Sequence, residues 1–334
     1  MKVLKQSIGV DVSKDTISCC FGHKDGTGSE QFSKAKSFEN SPDGFRELMT
    51  WVNEQSCSAD TWYVMEATGV YYENLAYWLL EQELNVSVVI PSKVSNYAKT
   101  LELKTKTDAV DARILSKLGL ERQLRKWAVP TVLMREVRFL TRELRETKAK
   151  LVVSKNQLHA KTHAHRASAG TVRRLKRQIK LLEGQVIEIE SELRVLVMND
   201  VLLSEKVEKL ESIPGIGFMT AISVVGETNA FALFDNSKQL VSYAGLDVRQ
   251  NQSGKKEGKS KISKQGNNFI RHALYMPALS SSLHNADMKV FYNRVNMNKP
   301  SKKVGVTAVA RKLLVLMYTL WKNDSEYVVN FKAA

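Results

Sequence analysis

Four carboxylates in the first third of the 334-residue chain sit where they could do chemistry. Asp11 lies within Ile8-Gly-Val-Asp-Val12, an apolar run in which a charge is costly to bury unless a cation or partner neutralises it. Glu66 closes the apolar run Trp62-Tyr-Val-Met in the same way. Asp108 and Asp111 stand three apart at the start of a helical stretch, on one face and in the first turn, where the helix dipole favours negative charge. Two strand ends and a helix start on one edge of an α/β sheet could bring all four together. Hard oxygen donors gathered in this way suit Mg²⁺ or Mn²⁺, which can activate a nucleophile and stabilise a leaving oxygen on a phosphodiester. For Asp108 and Asp111 alone, simple helix capping accounts for the pattern as well. Asp11 in its apolar strand tips the balance toward metal.

The elements that must position these acids form an α/β region. Residues 7–12 and 16–21 read as strands around the polar turn Ser13-Lys-Asp15, and a third strand is expected between Gln31 and Phe38. Ser41-Pro42-Asp43 is a helix start, with a capping serine before a proline at the first helical position, and the helix should run to Glu54. Thr61 to Glu66 is a strand, Tyr71 to Glu83 a helix, and Asn85 to Ile90 a strand halted by Pro91. Beyond Pro130 the pattern turns to long helix. Leu175, Ile179, Leu182, Val186, Ile189, Leu193 and Leu196 step alternately by four and three, the seam of a coiled coil, and Val137, Leu140, Leu144, Leu151 and Leu158 keep the same register with Thr147 and Ser154 between them. The polar, Gly-containing stretch 159–170 predicts that the two helices fold back as an antiparallel hairpin. A third region opens at Ile213-Pro-Gly-Ile-Gly217, with helices expected over 219–226, 237–244, 267–284 and 304–322. The expected division is 1–125, 126–209 and 210–334.

Charge is unevenly distributed. Residues 1–112 hold 11 Lys and Arg against 16 Asp and Glu, a net −5, so the remainder carries +20 of the overall +15. A basic surface of this size fits a polyanion partner, since neutralised phosphates release counterions. Between Arg249 and Arg271 seven Lys and Arg face Glu257 alone. Cys19, Cys20 and Cys57 are too few and too badly spaced for a disulfide framework or a zinc site. His163-Ala-His165 has the wrong period for one helix face, which argues against a metal site there. The chain has no uncharged apolar run of 18 residues and no export signal at its start, so a cytoplasmic, nucleoid-associated protein of a bacterium or archaeon is expected.

Several motifs in fixed order carry a resemblance over nearly the whole chain. Ile8-Gly-Val-Asp11, Glu66-Ala-Thr-Gly69 and Lys106-Thr-Asp-Ala-Val-Asp-Ala-Arg113 are followed by Ile213-Pro-Gly-Ile-Gly217, Tyr243-Ala-Gly-Leu246, Ile262-Ser-Lys-Gln-Gly-Asn267 and Arg271-His-Ala-Leu-Tyr275. Together they resemble the DEDD transposases of insertion sequences related to the Piv and MooV DNA invertases. The resemblance implies a RuvC-like, RNase H-type N-terminal domain, a coiled-coil middle and a mostly helical C-terminal transposase domain. It also implies a recombinase guided by a structured noncoding bridge RNA that pairs with target and donor DNA. Asp11, Glu66, Asp108 and Asp111 match the family's acidic tetrad, the ligands of Mg²⁺ or Mn²⁺.

The family's serine nucleophile falls at Ser253, in Asn251-Gln-Ser-Gly254. The residues alone do not single it out, because Ser260 and Ser263 are equally eligible in a polar, Gly-bearing segment. Activation by metal-bound oxygens and nearby cations would make such a hydroxyl reactive. The resemblance places acids and serine on different domains and so implies a homodimer or homotetramer with composite sites. Asp247-Val248 departs from the family, which often has proline after Ala-Gly-Leu, and leaves that turn open. Ile213–Gly217 resembles a helix-hairpin-helix element whose Gly215 and Gly217 admit phosphate, although an ordinary Pro-Gly turn reads the same. Lys255, Lys256, Lys259, Lys261, Lys264 and Arg271 would hold the nucleic-acid backbone beside the serine. The competing enzymatic reading is a RuvC-like, structure-selective endonuclease that uses water. An actin-like ATPase would need a second Gly-rich phosphate loop that the sequence lacks, and a noncatalytic RNA-binding scaffold would leave the acids structural.

Overall fold

A computed structural model describes residues 3–55, 60–67, 69–101, 105, 107–249, 252–253, 256–257 and 261–328, without the side chains of 3, 92, 252, 253, 256 and 257. Cys57, Lys255 and Lys259 therefore lie outside the described residues, as does the side chain of Lys256. The chain divides into two compact units, residues 1–128 and 129–334.

The first unit is a mixed sheet with helices on both faces. Strands β1 (Val3–Val12), β2 (Thr16–Asp25), β3 (Glu30–Phe32) and β4 (Lys36–Glu39) precede helix α1 (Pro42–Gln55). Then follow β5 (Thr61–Glu66), α2 (Tyr72–Glu81), β6 (Asn85–Val89), α3 (Pro91–Thr100) and α4 (Asp108–Glu121). The sheet order is β3-β2-β1-β5-β6, with β4 also on β2; β1 runs antiparallel to β2 and parallel to β5, and β5 parallel to β6. The single strand expected between residues 31 and 38 is in fact two short ones. β3 pairs with Gly22–Lys24 and β4 with Thr16–Cys19, so the chain returns along β2 in two steps. Pro91 does more than halt β6. It occupies the first turn of α3, a helix the spacing did not predict, because a proline that ends a strand also has the φ of a helix start.

Alternation along β1 assigns its two faces. Ile8 and Val10 belong to the core formed with α1 and α2, whereas Ser7 and Gly9 face α4. That helix lies directly on the strand: a side-chain carbon at Gly9 would overlap the carbonyl of Ala112 and the amide of Ser116, and one at Gly119 would overlap the Ser7 hydroxyl. Ser116 Oγ donates to the Ser7 carbonyl at 3.0 Å, and Lys5 Nζ donates to the Arg122 carbonyl at 2.6 Å. Helix α4 therefore runs antiparallel to β1, with its N-terminus at the strand's C-terminal end.

The second unit begins with two long helices, α5 (Val132–Thr162) and α6 (Ala169–Met198). Ion pairs Lys148–Glu190 and Lys155–Glu183 fix them as antiparallel neighbours. Every seam position read from the spacing is buried or half-buried, and Leu140, Leu144, Ile189 and Leu193 form the apolar cluster between the helices. After α6 come α7 (Val201–Glu211), α8 (Phe218–Glu227) and α9 (Ser237–Tyr243), then the two-residue strands β7 (Val248–Arg249), β8 (Gln252–Ser253), β9 (Lys256–Glu257) and β10 (Lys261–Ile262). Helices α10 (Asn268–His284), α11 (Ala286–Asn296) and α12 (Lys303–Asn323) complete the unit. One core joins Met134 and Val137 of α5 and Val197 of α6 to Ile222, Leu274 and Leu313. The boundary expected at residue 209 thus falls inside α7 and inside a continuous core. Helix α12 is long and apolar enough to cross a membrane, but more than half of its most apolar window is buried in this core.

Candidate active site and serine segment

The strand faces and the α4 packing decide where the four acids go. In the parallel β1–β5 pair Val10 is opposite Met65, so Asp11 and Glu66 are the next neighbours along the register. Both have the parity that faces α4: Asp11 follows Gly9, and Glu66 follows Val64, whose side chain packs with Ile114, Leu115 and Leu118. Asp108 and Asp111 occupy the first turn of α4, one turn before the Ala112–Ser116 stretch that rests on Gly9. Asp11 and Glu66 therefore sit at the C-terminal ends of the parallel strands β1 and β5, on the face that α4 covers, and Asp108 and Asp111 belong to the N-terminal turn of that helix.

Asp11, Glu66 and Asp111 are half-buried, and Asp108 is exposed. Among the described residues, no three His, Cys, Asp or Glu side chains are close enough together to hold a metal ion. The sequence led to the expectation of a cage at one sheet edge; among the described residues the four side chains do not close into one. Hard carboxylate oxygens at a strand edge remain the donor set that Mg²⁺ or Mn²⁺ requires.

The capping alternative is answered directly. Thr107 is the N-cap of α4, its hydroxyl accepting from the Val110 amide at 3.3 Å, so neither Asp108 nor Asp111 serves that purpose. The sequence signal for the docking of α4 was present in Gly9 and Gly119. Only a helix lying directly on the strand shows what those glycines are for.

Ser253 lies in β8, opposite Lys256 of β9 in a two-residue antiparallel pairing. The segment is bounded by a narrow neck. Its ends are joined by the Asn267 amide to the Tyr243 carbonyl at 2.7 Å, the Lys264 amide to the Gly245 carbonyl at 3.1 Å and the Ser263 amide to the Asp247 carbonyl at 2.9 Å, then by the β7–β10 pairs Val248–Ile262 and Arg249–Lys261. The Ser263 hydroxyl also bonds the Asp247 carboxylate, which makes Ser263 part of the neck and defines the turn that Asp247-Val248 left open. Gly245 and Gly266 have φ of +66° and +136°, and a side chain at Gly266 would overlap the Tyr243 carbonyl, so both ends of the neck require glycine.

Arg271 closes this neck. Its Nη1 donates to the carbonyls of Ala244, Gly266 and Asn267 at 2.8, 3.2 and 3.3 Å, and partial burial there lowers its pKa from the ordinary guanidinium value. These three bonds give Arg271 a structural role in the neck through Nη1. Lys261 and Lys264 are exposed beside it. Gly215, with φ of +100°, packs against Ser281 of α10, whereas the N-cap Gly217 of α8 has open space where a side chain would be.

Two family models match the chain. One, described as a transposase and of the IS110 DEDD type, covers residues 8–163, and the other, described as the transposase IS116/IS110/IS902 family, covers residues 207–293. The chain belongs to the IS110 family of transposases. The pilin gene-inverting proteins of Moraxella bovis and Moraxella lacunata are 28% and 29% identical to this IS110-family chain, over 97% of it and 98% of each relative. The transposase of insertion sequence element IS1111A of Coxiella burnetii is 27% identical over 48% of the chain and 46% of its own length. A solved Ppx/GppA family protein of Aquifex aeolicus aligns with 96% of the chain and 92% of its own at 9% identity and a TM-score of 0.22, too low to bear on the fold. As an IS110-family member the protein is a DNA transposase or recombinase.

Proposed function

We propose that this transposase breaks and rejoins DNA strands through a Ser253 phosphodiester link, assisted by Mg²⁺ or Mn²⁺ at Asp11, Glu66, Asp108 and Asp111, and that a structured bridge RNA directs it to target and donor DNA. The observation that supports the reading is that Asp11 and Glu66 are next neighbours in strand register while Asp108 and Asp111 begin the helix that lies on the same strand at Gly9. The bound ion would supply Lewis-acid stabilisation of the charge that develops on the phosphate. The Ser253 oxygen attacks phosphorus as the bond to the 3′ oxygen breaks. The departing strand leaves with a 3′ hydroxyl, and the protein holds the 5′ phosphate. Attack by the 3′ hydroxyl of an exchanged strand on that phosphoserine restores a phosphodiester and returns the serine, so bond number is conserved without external energy.

The net +20 of residues 113–334 supports polyanion binding, and Lys255, Lys256, Lys259, Lys261 and Lys264 follow the serine within eleven residues. The amides that begin α8 at Gly217 supply a second phosphate contact. The names of the Moraxella relatives, which invert a pilin gene, agree with strand exchange at specific sites. The protein acts in the cytoplasm on chromosomal DNA, as a homo-oligomer.

The deciding experiment traps covalent protein–DNA adducts on labelled element ends with the transcribed flanking RNA present. Ser253→Ala should abolish the adduct and Asp11→Asn should abolish metal-dependent cleavage with folding intact. Cleavage at wild-type rate by Ser253→Ala would favour the competing reading, a structure-selective nuclease that uses water.

A further inference from the structure

Glu227, the last residue of α8, is 2% exposed and carries three polar contacts unrelated to the acid edge. Arg142 of α5 grips its carboxylate with two bonds, Nε to Oε1 at 2.6 Å and Nη2 to Oε2 at 2.9 Å. Asn267 Nδ2 donates to Oε2 at 2.6 Å, while Oδ1 of the same side chain accepts from the amides of Phe269 and Ile270 and caps α10. Tyr243, whose carbonyl accepts from the Asn267 amide in the neck, donates its hydroxyl to the Glu227 carbonyl at 3.4 Å. The buried carboxylate thus joins α5 to the Asn267 end of the neck, and the backbone carbonyl of the same residue accepts from Tyr243 at the other end.

The surroundings hold that carboxylate in place. A side-chain carbon at Gly226 would come within 2.8 Å of Val137, so α5 and α8 press together one residue before Glu227. The chain then makes a left-handed turn through Asn229, Ala230 and Phe231 with φ of 49°, 52° and 59°. Three consecutive non-glycine residues in this region are unfavourable and persist only where the surroundings impose them. Here the constraint is Phe231, fully buried between Tyr318 and Trp321 with ring centroids 5.9 and 5.6 Å away. A buried carboxylate-guanidinium pair seldom outperforms an apolar pair in stability, so its presence beside a strained turn points to orientation as its purpose.

We propose that Glu227 is a positioning residue: clamped between Arg142 and Asn267, it fixes the direction in which the neck presents the Ser253 segment. The inference rests on the serine chemistry proposed above. Glu227→Gln removes the charge but retains an acceptor for Arg142, whose side chain is 39% exposed and stays hydrated over the Phe269 ring. Asn267→Asp retains the cap of α10 but sets an acceptor against Glu227. In the double variant the introduced amide can donate to the introduced carboxylate, so the bond is restored with its direction reversed.

Each single variant should slow adduct formation at saturating DNA by about 10²-fold per folded molecule, the scale of a roughly 1 Å misplacement, with DNA Kd unchanged. The double variant should recover at least about tenfold of that loss, which a merely structural role would not reproduce. Amide exchange at Lys264 and Asn267 should quicken in the single variants and recover in the double. Wild-type adduct rates in Glu227→Gln, or rates that fall only with the folded fraction, overturn the proposal. If the wild-type protein forms no Ser253-dependent adduct, the serine reading fails, and the exchange rates alone decide whether Glu227 orients the neck: unaltered protection in Glu227→Gln overturns that too.

Discussion

The acid edge and the serine segment are held by different physics. Asp11 and Glu66 ride on the central strands of a sheet, and the helix that brings Asp108 and Asp111 is set by backbone lying on backbone at Gly9 and Gly119. Ser253 rides on two-residue strands, and what steadies them lies at the neck: amide-carbonyl pairs, the Arg271 clamp and the Glu227 pair. Close packing tolerates no added atom, whereas polar clamps can be loosened one bond at a time. A site on regular elements is fixed when the unit folds; a segment on a polar neck can be aimed. Substitutions of matched size in the two regions separate these mechanisms.

The largest effect is expected at Gly9. Gly9→Val must push α4 off β1, and overpacking of this kind costs about 3 kcal/mol. Urea unfolding followed by tryptophan fluorescence reports it, since four of the five tryptophans, Trp51, Trp62, Trp78 and Trp127, lie in the first unit. An unaltered midpoint would mean that α4 is not seated as described and would remove the argument for a shared acid edge.

Arg271→Met comes next. It leaves the carbonyls of Ala244, Gly266 and Asn267 without their donor, at about 2 kcal/mol, felt mainly as faster exchange of the Lys264 and Asn267 amides. If DNA affinity falls while exchange stays slow, Arg271 is a phosphate contact after all and the neck is not the polar clamp described.

These two cases show what the sequence made legible. The apolar runs that hold Asp11 and Glu66 identified two of the strands, because a short apolar stretch bounded by polar turns is the pattern of a buried strand, whereas the face each acid takes came only from the α4 contact at Gly9. The four-three spacing from Leu175 to Leu196 marked the buried side of α6. The neck was not legible. Its strands are two residues long, below the length at which periodicity carries information, and its bonds join residues such as Tyr243 and Asn267 that no local pattern connects. Arg271 read as a nucleic-acid contact because a cation among lysines gives no sign that its guanidinium faces three carbonyls. Glu227 was missed because a glutamate at the end of an apolar helix looks like a surface residue, although the apolar run 221–226 before it shows that this helix is enclosed.

A smaller pair of effects tests the acid edge itself. Thr107→Ala should destabilise the first unit by about 1 kcal/mol through loss of the α4 cap. Asp108→Asn should change stability by only about 0.5 kcal/mol, the weight of a charge in a first helical turn. If Asp108 is a ligand, the same change should abolish Mg²⁺-dependent cleavage. Equal effects of both variants on stability and on cleavage would return Asp108 to a local role in the helix.

The smallest effect belongs to the ion pairs along the long helices. Lys148–Glu190 and Lys155–Glu183 are close, at 2.6 and 2.7 Å, but their side chains are between a third and a half exposed. Such pairs contribute about 0.5 kcal/mol each, screened further by salt, whereas the Leu140, Leu144, Ile189 and Leu193 cluster between the helices is apolar and does not weaken with ionic strength. Lys155→Ala should therefore barely move the unfolding midpoint, and the difference from wild type should vanish near 1 M salt. The result matters for the serine segment because Arg142, which grips Glu227, is carried by α5. If apolar packing sets the direction of that helix, the neck keeps its aim as salt rises, and only DNA binding shows the steep salt dependence of phosphate contacts. A loss of Ser253 adduct with salt at saturating DNA, reproduced by Lys155→Ala at low salt, would instead make the charged surface of the long helices part of the aiming device.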